Sequence, residues 1–238
     1  MRNNFFCVVV IVLCFSCDGE VKKEYYPNGQ LKIEAHIVDG KPHGSLKNYY
    51  EDGTLRFNGN YQDGKSQGEF VEYFPNGTIK RKLWYLNDTL HGLVEIYYKN
   101  GRLSKKFENV NGKIEGEFYE YDTVGVLRGV ANYIHGKRVI FREYYSDGNL
   151  QLEAEISENL KNGNYVTYYQ NGTKKQKGNY QNDKRNGWFM NYFSNGQMKD
   201  SVLVDLGTWV ERYEYDSLGN FITHQDNHSG ESRNEIKK

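Results

Sequence analysis

Cysteine is scarce and confined to one end: the three in 238 residues are Cys7, Cys14 and Cys17. No disulfide can therefore brace the body of the chain, and the six histidines, at 36, 43, 91, 135, 224 and 228, lack the Cys or His partners of a zinc site. No metal ligand set is expected. Proline and methionine number three each, and the hydrophobic fraction is 37%, low for an ordinary packed globule. Charge of one sign is missing too, with 31 Lys+Arg against 31 Asp+Glu. Nonspecific nucleic-acid binding needs a net basic field, so no nucleic-acid partner is expected. The chain contains no nucleophile elbow, phosphate-cradling glycine loop or HExxH stretch. No cofactor and no catalytic residue are expected.

The one long apolar run, Phe5–Phe15, follows a single positive charge at Arg2 and ends in Ser16-Cys17. It is shorter than the roughly 20 residues a membrane-spanning helix needs, and it has the order of a secretory signal. Leu13-Cys14-Phe15-Ser16-Cys17 resembles a bacterial lipobox, although Cys14 and Phe15 depart from its usual residues. The resemblance implies cleavage before Cys17 and lipidation of its thiol. The alternative is a plain signal peptide cut near Ser16, with Cys17 incidental. Lipidation would anchor an exported protein to a membrane of the bacterial cell envelope, each buried methylene contributing about 0.8 kcal/mol.

What the chain has in quantity is 21 Tyr and 25 Gly, arranged periodically. An aromatic-aromatic-x-Asn/Asp-Gly-x-apolar-Lys/Arg signature appears as YYPNGQLK from Tyr25, YYEDGTLR from Tyr49, YFPNGTIK from Tyr73 and YFSNGQMK from Tyr192. Its glycine recurs at 29, 53, 77, 101, 125, 148, 172, 196 and 219, a period of 24 residues that slips twice to 23. Between these lies a second signature, DGKPHGSLKNYY from Asp39, DGKSQGEFVEYF from Asp63 and NGKIEGEFYEY from Asn111. Asn-Gly or Asp-Gly between apolar runs is hairpin-turn chemistry, so each 24-mer predicts two strands and two turns. Counted from the hairpin glycine, the even positions are mainly apolar. The second reads Leu31, Leu55, Ile79, Leu103, Leu127, Leu150, Lys174 and Met198, with Lys174 the exception, and the sixth reads Ala35, Gly59, Leu83, Phe107, Ala131, Ala154, Gly178 and Val202. Such alternation marks strands with one dressed face.

The pairing of these turns over about 200 residues resembles the bacterial variant of the MORN repeat. That resemblance implies an elongated, single-layer antiparallel β-sheet with stacked aromatic columns. The expected organisation is a signal peptide over 1–16, a lipidated N-terminus and short linker over 17–23, a MORN-like array over 24–223, and a disordered tail over 224–238. About 17 strands are expected. Two copies depart from the pattern: HGKRVIFREYY, near Val139, lacks the second glycine, and the stretch before Gly207 is shortened. Bends or register changes are expected there.

One candidate site emerges, a column of cations at the third position after the hairpin glycine: Lys32, Arg56, Lys80, Arg128, Lys175 and Lys199. Aligned in a row, they could meet lipid headgroups, acidic glycans or an acidic protein. The competing reading is a solvated face whose charges pair with Glu72, Glu95 or Glu120. The aromatic pairs, such as Tyr49-Tyr50 and Tyr192-Phe193, should point to opposite faces of the sheet. Because nearly every polar residue is repeated, the expected function is a membrane-tethered, noncatalytic surface that binds or scaffolds a protein, glycan or lipid. Two alternatives remain open: an antitoxin or immunity protein, implied by the MORN-variant resemblance, and an envelope polysaccharide-processing enzyme.

Overall fold

The computed structural model describes residues 19–227. The expected signal peptide, Cys17 and the part of the tail beyond residue 227 lie outside the described residues. Two compact units divide the chain: one reaches Ile114 and includes Thr123–Gly125, and the other comprises Glu115–Asp122 and the chain from Val126 onward.

The first unit contains β1 (Glu20–Tyr25), β2 (Leu31–Val38), β3 (Lys41–Tyr49), β4 (Leu55–Gln62), β5 (Lys65–Tyr73), β6 (Ile79–Leu86), β7 (Thr89–Leu90), β8 (Gly92–Tyr97) and β9 (Leu103–Val110). The second contains most of β10 (Lys113–Tyr121), then β11 (Leu127–Ile134), β12 (Lys137–Tyr144), β13 (Leu150–Ser157), β14 (Leu160–Tyr168) and β15 (Lys174–Gln181). It closes with β16 (Lys184–Arg185), β17 (Gly187–Tyr192), β18 (Met198–Asp205), β19 (Thr208–Tyr215) and β20 (Phe221–Asp226). Within each unit, strands pair antiparallel with their sequence neighbours, giving the expected open all-β array of tandem hairpins. Among the described residues there are twenty strands, more than the expected number, partly because β7–β8 and β16–β17 are each one strand interrupted at His91 and Asn186. Strand structure also begins at Glu20 and ends at Asp226, a few residues beyond each expected array boundary.

The two signatures build different turns. At Tyr26-Pro27-Asn28-Gly29, the Gly29 amide donates to the Tyr26 carbonyl (2.9 Å), and the Tyr26 amide donates to the Gln30 carbonyl (2.8 Å). Gly29 alone is left-handed there, at φ 84°. This is a three-residue hairpin loop, and the left-handed position is why glycine recurs. The Asn28 side chain accepts from the Gln30 amide (2.9 Å) and donates to the Glu51 carbonyl of the next hairpin (3.1 Å). Asn76, Asn171 and Asn195 repeat that second bond, so the asparagine both shapes its own turn and ties hairpins laterally. At the second signature both central residues are left-handed, Asp39 at φ 48° and Gly40 at φ 74°, as a two-residue type I′ hairpin requires.

The additional glycine of the second signature is a bulge. Ile37 pairs with Pro42 but Ala35 pairs with Leu46, so His43-Gly44-Ser45 faces His36 alone. The two copies without this glycine carry a smaller bulge: Tyr133 pairs with Arg138 and Asn132 with Ile140, leaving only Val139 extra. Likewise Val210 is the single extra residue in β19. The missing residue explains the two 23-residue periods and is the register change expected near Val139. In the last copy it falls after Gly207, at Val210, and not in the stretch before Gly207 as expected, because Gly196 and Gly207 keep the same spacing as Gly29 and Gly40.

Packing follows a small-against-large rule across one face. The register lines up Ala35, Leu46, Gly59, Phe70 and Leu83 in the first unit. In the second it lines up Phe118, Ala131, Phe141, Ala154, Tyr165 and Gly178. Phe70, 4% exposed, lies over Gly59 among the rings of Phe57, Tyr61 and Tyr85, with centroids at 4.8 to 5.5 Å. Phe189, 1% exposed, lies over Gly178 beside Tyr180. Burying such a ring contributes about 1.5–3 kcal/mol, which here comes from strand neighbours rather than an opposing layer.

Candidate functional site: an aromatic and cationic groove

Within each unit the cations of the expected column are largely engaged. Each of its members is the extra residue of a bulge: Tyr25 pairs with Leu31 and Glu24 with Ile33, leaving Lys32 between. The bulge turns the third position toward the packed face, so Lys80 and its neighbour Arg81 both reach Glu72. Strict alternation had placed the column on the opposite face. Lys32 lies 3.9 Å from Glu24, Lys80 3.5 Å from Glu72, and the Arg128 guanidinium 2.7 Å from Asp122. Arg56, Lys175 and Lys199 have no carboxylate partner among the described residues. They sit over the rings of Tyr50, Tyr169 and Phe193 at 5.7 to 6.0 Å. Ser104 and Gln151 interrupt the series.

Glu72 registers this electrostatics. Burial works to raise its carboxyl pKa, but the hydrogen bond and charge of Arg81, with help from Lys80, outweigh it and hold the group below the ordinary carboxylate range.

The aromatic pairs divide as expected, with a bracing role for the second member. Its hydroxyl donates to the carbonyl of the first aromatic in the next hairpin, as in Tyr26 to Tyr49 (2.7 Å), Tyr50 to Tyr73 (2.8 Å), Tyr145 to Tyr168 (2.8 Å) and Tyr169 to Tyr192 (2.8 Å). The first member turns to the other face, where the Tyr97 hydroxyl donates to Glu95 at 2.8 Å.

The site-like feature is a groove on the packed face of the second unit. Three adjoining hollows of about 330, 260 and 310 Å³ share walls in pairs: Leu152 lines the first and second, Phe141 and Glu143 the second and third, and Gln151 the first and third. Small residues open it. The fourth position after the hairpin glycine is Ile33 or Phe57 in early repeats but Gly129 here, and the sixth is Ala131 and Ala154. At one end stand Tyr145, Thr167 and Lys175; at the other are Arg138, Lys161 and Asp183. The Lys161 ammonium lies 5.4 Å from the Tyr165 ring and 5.1 Å from that of Tyr180, and Arg138 lies 5.2 Å over Phe141. Burial, then the neighbouring Tyr180, raise the Tyr165 pKa, and Glu143 adds to the rise, so Tyr165 presents a neutral hydroxyl.

One wall is preorganised. Gln176 donates to Asn191 (2.7 Å), Asn191 donates to the 4%-exposed Asp200, and Asp200 accepts from Arg212 (3.0 Å). A buried carboxylate fixed by a guanidinium orients the amides and leaves the Gln176 carbonyl oxygen free to accept. Of the groove, sequence reading had singled out only Arg128, Lys175 and the aromatic pairs. Gly129, Glu143, Gln176, Asn191 and Asp200 were missed. Gly129, Gln176 and Asp200 each occur once at the fourth position after the hairpin glycine. Glu143 shares its position with Glu72, Glu120 and Glu214, and Asn191 shares it with Asn48, so nothing in the repeat set those two apart.

Among the described residues, no group of three or more His, Cys, Asp or Glu is placed to hold a metal ion, and no helix is long and apolar enough to cross a membrane.

Comparison with known proteins agrees with the hairpin register. The family model of the MORN repeat variant matches residues 21–39, 42–63, 66–87, 90–108 and 161–182. Each segment is one hairpin, and the last four lie between successive type I′ turns, so the chain contains MORN-variant-like repeats. Four hairpins are unmatched, at 113–134, 137–157, 184–205 and 208–226; the second and fourth lack the bulge glycine, and the other two keep it as Gly116 and Gly187. No curated protein matches the chain. Among solved structures, a chain in the crystal structure of TcdB2-TccC3-Cdc42 aligns at 16% identity, with 88% of this chain and 14% of that one covered and a TM-score of 0.23. A chain in the crystal structure of TcdB2-TccC3 aligns at 11% identity, with 88% and 18% covered and a TM-score of 0.17. This chain thus spans less than a fifth of either, and at these scores the alignments carry no argument about it.

Proposed function

We propose that this protein is a noncatalytic repeat scaffold that presents a binding surface and is held at a membrane of the cell envelope by a lipid on Cys17. The groove of the second unit carries the binding part of this reading. Turn and staple geometry accounts for the repeated Gly, Asn and Tyr, whereas Gly129 and Gln176, neither of which recurs at the fourth position after another hairpin glycine, stand in the groove with Glu143 and Asn191. Function is sought where a regular array breaks its own rule. The regularity also argues against catalysis, because the polar groups elsewhere recur from hairpin to hairpin in structural roles.

The anchor rests on the signal-like segment before Cys17, and the partner can be reached by crosslinking in intact cells. Full-length protein should crosslink to an envelope component, and that crosslink should fall when Lys175 and Arg138 are both changed to Gln. Loss of membrane fractionation in a Cys17→Ala variant is expected in parallel. A Cys17→Ala protein that stays with the membrane refutes the lipid anchor, and a full-length chain that crosslinks to nothing refutes the binding surface.

A further inference from the structure

Within the binding-surface reading, we infer that the groove takes an anionic oligosaccharide, a short run of sugar rings carrying carboxylates. Four features of the lining select this chemistry. Aromatic rings from Tyr145, Tyr165 and Phe141 are distributed along the groove, giving apolar patches against which sugar faces can stack. Thr167 and the locked Gln176–Asn191 pair offer fixed hydroxyl and amide groups to ring hydroxyls. Lys175 at one end, and Arg138 and Lys161 at the other, form no ion pair among the described residues, and although Asp183 also lines the second end the cations outnumber it there, so a ligand carboxylate meets net positive charge at both ends.

The fourth feature is Glu143, in the middle. It lies across from Gly129 and Leu152 and has no cation paired with it among the described residues. A phosphate-rich ligand would be repelled there. A sugar hydroxyl can instead donate to this carboxylate while carboxylates on the same chain reach the flanking cations. Lys161 and Thr167 lie opposite Ile156 and Leu152, four steps apart on β13 at about 3.3 Å each, which sets a length of roughly 13 Å, enough for two or three linked rings.

The test is calorimetric titration of the purified full chain with hexamers of galacturonate, mannuronate and hyaluronan. A neutral galactose hexamer and phosphatidylglycerol vesicles are titrated alongside. At least one acidic hexamer should bind, more weakly as salt rises, and with clear preference over the neutral hexamer. Lys175→Gln and Arg138→Gln should each weaken that binding about tenfold, the scale of one charge-assisted hydrogen bond. Lys80→Gln, in the first unit, should leave it unchanged, and unaltered circular dichroism and melting of all three variants establish that they are folded.

The assignment is overturned if no acidic hexamer binds, if the neutral hexamer binds equally well, or if Lys80→Gln has the same effect as Lys175→Gln. It is likewise overturned if the groove variants weaken vesicle binding and not sugar binding. Should the sugars fail while Lys175→Gln with Arg138→Gln still abolishes the crosslink in cells, the binding surface stands and its ligand is not an acidic sugar. Should both fail, the broader reading falls with it.

Discussion

A methyl carbon added at Gly178 would lie 2.5 Å from both Cδ1 and Cε1 of Phe189 and 2.7 Å from its Cγ. Phe189 is 1% exposed and packs edge-on to Tyr180 at 5.5 Å, so its ring cannot withdraw without opening the row. Overpacking of this kind costs about 1–3 kcal/mol. Against it stands the usual gain of about 0.4–1 kcal/mol when alanine replaces glycine, since Gly178 is not in the left-handed region. The net expectation is a loss of about 1–2 kcal/mol, or roughly 2–8 °C in melting temperature for a chain of this size. Gly129 supplies the control. It also avoids positive φ, but a methyl group there would find its nearest atoms at 3.5 Å (the Arg142 carbonyl oxygen) and 3.7 Å (Phe141), ordinary contact. Gly129→Ala should therefore raise the melting temperature by a degree or more. Thermal unfolding followed by far-ultraviolet circular dichroism compares the two directly. If Gly178→Ala melts at or above the wild type, or if both variants shift together, the small residue is not a seat for the ring and the packing argument is wrong.

The tyrosine staples make a paired prediction. Tyr50→Phe removes the 2.8 Å bond to the Tyr73 carbonyl and should cost about 0.5–1.5 kcal/mol in denaturant melts, whereas Phe74→Tyr, at the equivalent place one repeat later, should recover a similar amount. Leu206 occupies the first position of a type I′ turn at φ 43°, where most other repeats have Asp or Asn and two have His135 and Glu158. Leu206→Asn should stabilise by about 1 kcal/mol, read as a higher denaturation midpoint. On alkaline titration, Tyr97 adds a specific instability. Burial, and then its bond to Glu95, push its pKa up to about 12 from 10.0. The folded state thus favours the neutral phenol, a stabilisation fully present below pH 10 that disappears as pH rises toward 12. The melting temperature of the wild type should fall more steeply over that window than that of Tyr97→Phe, and equal slopes would show that Tyr97 does not contribute.

Periodicity made the strands legible because a side chain's face follows from counting by two, and the turn glycines could be placed because few residues tolerate left-handed backbone. Counting fails at a bulge. Lys32 and its equivalents were read as outward cations, yet each is an extra residue in its ladder, and that extra residue redirects it toward Glu24, Glu72 or a tyrosine ring. Likewise Gly59 and Gly178 appeared to be weak members of an apolar position, when they are the space that Phe70 and Phe189 occupy.

The sequence by itself determined the hairpin array, its 24-residue period, the two turn types as places of reversal, and which copies are irregular. All of these depend on residues near one another in the chain. The groove depended on tertiary structure, because Gly129, Glu143 and Leu152 stand on three successive strands and Gln176, Asn191, Asp200 and Arg212 on four. Their joint effect exists only once register sets them side by side. A small residue becomes a cavity, and an amide a fixed hydrogen-bonding group, through neighbours that local pattern cannot specify.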